Sequence, residues 1–202
     1  MIVKPILRPA SGKGAALWWR CGDEQAAQIV EFAVSLPLLV VFVVGIFDFS
    51  GALSLKQKLT NAARDAARVA AADPANDLSG AGNNNLPVSV SDAYQVVYNY
   101  LNSENINDCG LSNQKPAQGT GLKWSSNATN GCPGLGLTLT IDRGCFTPQT
   151  IGTATVDVVN TCVTIQYPYK WRFNSVITLL VPGARYGSVT YISANATAFN
   201  EN

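Results

Sequence analysis

Residues 31–72 read EFAVSLPLLVVFVVGIFDFSGALSLKQKLTNAARDAARVAAA, and this stretch decides the fold. From Ile29 to Phe47 the only ionisable side chain is Glu31, and roughly 20 consecutive apolar residues carry a helix across a bilayer. The run predicts a single-pass membrane helix. It is too long for the apolar core of a signal peptide, and charged helical residues follow it rather than a small-residue cleavage site. Further on, Leu55, Leu59, Ala62, Ala66 and Ala70 recur at the spacing of one helix face. The membrane helix is therefore expected to continue outwards as an amphipathic, alanine-rich one. Asp73-Pro74 and the following NDLSGAGNNN end it, because the residue before a proline avoids the helical region. As a helix, residues 29–72 would extend roughly 66 Å at ~1.5 Å per residue, more than twice the bilayer core. Pro37 is expected to kink it inside the membrane.

Glu31 needs an account, since a carboxylate at the centre of a span costs about 2.5 to 3.5 kcal/mol on insertion scales. Two readings stand open. The carboxylate either meets a functional partner within lipid or sits at headgroup level, where it costs little.

The 202 residues allow one membrane helix and one compact domain of roughly 110 to 130 residues. With 14 basic and 13 acidic side chains, a formal charge of +1 and no continuous basic face, the chain is not a nucleic-acid binder. Lys4, Arg8, Lys13 and Arg20 precede the span, opposed only by Asp23 and Glu24. Positive residues favour the cytoplasmic side, so the N-terminus is expected inside and everything after Phe49 outside.

The cysteines agree with that topology: Cys109, Cys132, Cys145 and Cys162 fall in the exported part and Cys21 alone precedes the span. Four thiols in an oxidising compartment imply two disulfides, with three connectivities open. Cys109 with Cys132 and Cys145 with Cys162 is the pairing put forward. The first bridge would close 22 intervening residues, worth about 3 kcal/mol by the chain-entropy estimate. None of the four has Cys-x-x-Cys spacing and the chain lacks histidine, so neither a metal centre, nor another cofactor, nor a histidine-dependent triad is expected. Asp142 and Asp157 could form a carboxylate pair, although solvated strand aspartates are commoner. No enzyme is predicted.

The expected organisation is a cytoplasmic leader over 1–26, the transmembrane and extended helix over 27–72, a linker over 73–90 and an exported α+β domain over 91–202. Within that domain Ser91 reads as the cap of a helix with Val97, Tyr98 and Leu101 on one face. The glycine- and asparagine-rich residues 102–134 read as a long stapled loop. Strict alternation marks strands at Leu135, Leu137, Leu139, Ile141, at Val159, Val163, Ile165, Tyr167, and at Thr190, Ile192, Ala194, Ala196. The fold class is α+β, with a small antiparallel sheet of about three to four strands packed on the helix in a pilin-like arrangement, its other face in water. Tyr167, Tyr169 and Trp171, interrupted by Pro168, read either as a recognition strip or as an aromatic edge strand packing into the core.

The segment Ala26–Ala72, with V-E-F, a prolyl apolar run, G-I-F-D-F-S-G-A-L and L-T-N-A-A-R-D-A-A-R, resembles the TadE and TadG-like proteins of the tight-adherence type IV pilus system. C-V-T-I-Q-Y-P-Y-K-W, from Cys162 to Trp171, and the Ala/Thr-rich strand ending near Glu201 are similar to the closing part of that family. The resemblance implies a minor pilin or pseudopilin. Such a precursor crosses the inner membrane once, is cut at the cytoplasmic face by a prepilin peptidase, and works with other pilin and pilus-assembly subunits in assembly, secretion and adhesion. The family's motif is a small residue, usually glycine, then four residues, then glutamate and an aromatic. It places the cut between Ala26 and Ala27, with Ala26 standing where glycine is usual, and marks Glu31 and Phe32 as the assembly pair. In that setting the Glu31 carboxylate meets the new N-terminal amine of a neighbouring subunit, the pairing offsetting desolvation of both charges. The competing reading is an unprocessed, single-pass membrane-anchored binding module of the cell envelope.

In the unprocessed chain, alkylation without reductant should therefore label one thiol, Cys21, and reduction should expose four more. Labelling of all five without reductant would overturn both the topology and the disulfide framework.

Overall fold

The computed structural model describes residues 24–81, 85–151, 154–173, 183 and 189–200. Residues 1–23, most of the expected leader and including Cys21, lie outside them. The chain divides into two units, Met1–Val44 and Gly45–Asn202, and the helix α1 (Glu24–Ala72) runs through both.

In the first unit, α1 presents Ile29, Phe32, Val34, Leu38 and Leu39 at 62 to 71% exposure. An 18-residue window of this helix has a mean hydropathy of 2.6 and no buried residue. A helix that is apolar all round and of this length is able to cross a bilayer. Pro37 lies within it.

In the second unit the described residues form one antiparallel sheet in the order β1 (Ala117–Gln118), β2 (Lys123–Ala128), β3 (Leu137–Ile151), β4 (Ala154–Tyr169) and β5 (Thr190–Phe199). Its inner face is built by alternation: Trp124 and Ala128 on β2, Leu137, Leu139 and Ile141 on β3, Val163, Ile165 and Tyr167 on β4, Ala194 and Ala196 on β5. Ser125, Thr140, Thr164 and Asn195 line up across four strands on the other face, where polar side chains meet water. The core is closed by α1 and by α2 (Val88–Ser103), whose Val90, Ala93, Tyr94, Val97 and Leu101 are buried.

The stripe expected on α1 is present. Leu59, Ala62, Ala66 and Ala70 are fully buried and Leu55 is half-buried, while Ala63, Ala67 and Ala71 widen the stripe by a second row. Alanine at these positions costs no side-chain entropy and lets the helix backbone approach the sheet closely.

Three expectations are corrected. The sheet has five strands among the described residues rather than three or four, because residues 102–134 hold more than a loop: a short 3-10 turn at Leu111–Asn113, then β1 and β2. Ser91 is not the cap of α2. The helix starts at Val88, and the Asp77 carboxylate of an upstream 3-10 turn, Ala75–Gly80, accepts from the Ser89 N–H at 2.9 Å. An acidic acceptor there satisfies one of the free N–H groups and suits the positive end of the helix. Finally, β4 is not an edge strand, since it pairs with β3 on one side and β5 on the other.

Because the other residues of the stripe are alanines, Leu59 supplies most of its removable apolar area. Leu59→Ala should lower unfolding stability by about 2 to 5 kcal/mol and make the sheet domain protease-sensitive. Gln57→Asp, on the exposed side of the same turn, should change stability by less than about 0.5 kcal/mol. Equal protease resistance of the two variants would mean that the helix is not docked.

Candidate assembly site

The apolar run has a carboxylate near each end. Glu31 is exposed on the helix surface beside Phe32, which is 64% exposed. Ala27 is also exposed, and Ala26 is the third residue of α1. These residues thus sit together along one bare helix, four to five positions apart.

Asp48 is the opposite case: it is 1% exposed although it follows directly on Phe47. Its Oδ1 accepts the backbone N–H of Arg172 at 3.0 Å and its Oδ2 that of Phe173 at 3.3 Å. Its main-chain carbonyl accepts the Tyr169 hydroxyl at 3.2 Å. Burial, with Asp48 close by, raises the Tyr169 pKa above its ordinary value, against the Arg172 charge. The phenol therefore stays a donor. Gly51, one turn further on, makes room for this joint, since a Cβ there would lie 3.0 Å from the Tyr169 hydroxyl.

A second polar tie lies at the far end of α1. No basic residue stands in the last turn of the helix, yet its terminal carbonyls need donors. Arg143, 1% exposed, supplies them from β3. Its Nη1 donates to the Ala70 carbonyl and, at 3.0 Å, to Thr161 Oγ1. Its Nη2 donates to the Asp73 carbonyl at 3.0 Å. A guanidinium here complements the negative end of the helix as well as its free acceptors. Burial lowers the Arg143 pKa, with Asp77 and Asp73 opposing the shift; an arginine starts so high that it stays charged. For Asp73 burial is also the leading effect and raises the pKa, with Asp92 and Asp77 adding to it and Arg143 opposing.

Arg143 shares the inward face of Ile141 and sits at a β-bulge. Asp142 pairs with Cys162 and Cys145 with Asn160, so Arg143 and Gly144 together oppose Thr161. The Cys145–Cys162 disulfide closes over this bulge, and Cys109–Cys132 ties the end of the α2 segment to the loop after β2.

The remaining sequence candidates are placed as follows. Asp142 lies opposite Cys162 and accepts the Gly144 N–H at 2.9 Å, whereas Asp157 lies opposite Pro148, five positions away along β4. They are not brought together. Tyr167 and Tyr169 are buried, Tyr167 donating to the Asn107 carbonyl at 3.0 Å, and Trp171 stacks edge-on against Tyr169 at 5.2 Å. They form a packed aromatic end of the sheet rather than an open strip. Lys58, partly exposed, pairs with Glu104 at 2.9 Å. Among the described residues no group of three or more His, Cys, Asp or Glu could hold a metal ion.

Asp48 and Arg143 were missed by sequence reasoning. Asp48 had a signal, a carboxylate wedged between Phe47 and Phe49 at the margin of the span; Arg143 had none beyond the neighbouring Gly144 and Cys145.

A long helix apolar enough to span a membrane, followed by a disulfide-bonded antiparallel sheet, defines an α+β protein. Residues 26–68 match the family model described as TadE-like protein. The matched segment is consistent with a component of the Tad pilus, and this family is a structural one rather than one of enzymes. It ends within α1, so the sheet lies outside it. No curated protein and no solved structure matches the chain.

Arg143→Met should leave the terminal carbonyls of α1 buried without their charged donor and lower stability by about 3 kcal/mol in denaturant unfolding. Arg143→Lys should recover only part of that loss, because one ammonium cannot reproduce the planar fork between Ala70 and Asp73. A full recovery by lysine would show that charge alone matters there.

Proposed function

We propose that this chain is a minor pilin or pseudopilin of a tight-adherence type IV pilus, inserted in the inner membrane with its N-terminus cytoplasmic and its sheet domain exported. The observation that carries this reading is the family match over 26–68, which begins at the expected processing position and contains Glu31 and Phe32. Three features support it. Most of the apolar side chains from Ile29 to Phe47 are exposed in the single chain, as a subunit that lies in lipid and then packs on other helices requires. Two disulfides after the apolar run suit an oxidising compartment. The docked half of α1 leaves Glu31 outside the sheet domain's core, free for an intermolecular partner.

In this reading a prepilin peptidase cuts between Ala26 and Ala27, and the freed amine of one subunit meets the Glu31 carboxylate of another. Pairing in a medium of low dielectric is what makes both charges tolerable there. The partners are the peptidase and the other pilin and assembly subunits, and the roles are pilus assembly, secretion and adhesion.

Co-expression with a cognate prepilin peptidase should remove 26 residues and give Ala27 as the N-terminus on sequencing. Glu31→Ala should still insert, since insertion becomes easier without the charge, while its recovery in sheared pilus fractions falls at least tenfold. An intact Met1 terminus in membranes containing active peptidase would favour the unprocessed anchored module instead.

A further inference from the structure

The end of the sheet domain nearest the apolar run carries a cleft of about 480 Å³. Its walls are α1 from Gly51 to Lys58, the turn after α2 from Glu104 to Asn107, and the chain leaving β4 from Tyr167 to Arg172. Three cations line it, Lys58, Lys170 and Arg172, against the single carboxylate of Glu104, which is already paired with Lys58. Asp48, close to this rim, is spent on the Arg172 and Phe173 N–H groups. Among the described residues the side chains of Lys170 and Arg172, both exposed, have neither a hydrogen-bond nor an ion-pair partner. With Asp48 counted beside Glu104, three cations stand against two carboxylates and the cleft keeps a net positive charge.

Its position says what anion would reach it. The hydrogen bond from the Arg172 N–H to Asp48 holds Lys170, Trp171 and Arg172 at the level of Asp48, directly after the exposed apolar residues Ile46 and Phe47 and beside Phe49. If α1 spans a bilayer, that level is the headgroup region. Trp171 packed on Tyr169, with lysine and arginine on either side, is the side-chain mixture that settles at such an interface, rings at the headgroups and cationic heads towards phosphates. We propose that this cleft binds the phosphodiester headgroup of an anionic phospholipid in the exported leaflet, with Lys170 and Arg172 as its ligands and Lys58 as the cation at its back. The proposal rests on the membrane-spanning reading of α1, not on pilus assembly. A bound lipid there would fix the domain against the bilayer surface.

The test uses the full chain in a neutral detergent, titrated with short-chain phosphatidylglycerol, phosphatidylcholine of equal chain length, or inorganic phosphate. Phosphatidylglycerol at ten times its Kd should raise Tm by roughly 3 to 6 °C, and phosphatidylcholine should not. The double variant Lys170→Gln/Arg172→Gln should lose that shift while keeping its lipid-free Tm, and the remote variant Lys115→Gln/Lys123→Gln should keep it. Equal shifts with the two lipids, an undiminished shift in the first variant, or an equal shift with inorganic phosphate would each overturn the headgroup site. Alkaline washing of membranes separates the two readings: a chain that washes off sinks the spanning helix, whereas an integral chain without lipid selectivity sinks the cleft alone.

Discussion

An alanine stripe packs closely but does not fix its own position. Apart from Leu59, the buried apolar side chains of α1 are Ala62, Ala63, Ala66, Ala67, Ala70 and Ala71, and such a surface looks nearly the same after a slide of one turn. Area alone therefore discriminates weakly between registers. Directional bonds must do it, and they stand at both ends of the docked segment: Asp48 on the Arg172 and Phe173 N–H groups, Arg143 on the Ala70 and Asp73 carbonyls. From Asp48 to Ala70 the helix covers about 33 Å. From Thr161, which Arg143 also contacts, to Tyr169 the strand β4 covers about 26 Å, and three more residues reach Arg172. The two lengths agree, so α1 lies along β4 in the opposite sense, tied at each end.

The features legible in the sequence are those that depend on periodicity. The apolar run, the stripe from Leu55 to Ala70 and most of the alternation in β3, β4 and β5 repeat one side-chain class at a fixed interval and are found where they were expected; Leu135, which precedes β3, and Val159 are exposed instead. β2 was hidden because its inward residues are Trp124, Ser126 and Ala128, so only one of three is strongly apolar. The second half of β3, R-G-C-F-T-P-Q-T-I, shows no alternation because it continues past the residues that β2 pairs with and covers no helix stripe. The two ties were hidden for another reason. Each joins a side chain to main-chain groups distant in sequence, and a backbone N–H or carbonyl leaves no mark on the residue type that carries it.

The bulge gives the disulfide Cys145–Cys162 a role beyond closing a loop. Arg143 follows Ile141 on the inward face by simple alternation, and the extra residue in β3 brings Cys145 back to the outer face beside Cys162. Without the extra residue, the register would place either Arg143 or Cys145 on the wrong side of the sheet. Gly144 permits this because a Cβ there would press on the Leu122 side chain at 3.3 Å. The bridge thus holds the strand irregularity next to the residue from which the helix end is capped.

The two carboxylates of the apolar run show how one chain divides its polar requirements. Asp48 has both oxygens engaged by backbone donors within its own domain and is closed off from solvent. Glu31 has no ion-pair or hydrogen-bond partner among the described residues and stands on an exposed helix surface. A carboxylate in or next to lipid is tolerable when its acceptors are filled. For Asp48 the fold fills them. For Glu31 the single chain does not, and what remains is water at the headgroups or a donor from another molecule.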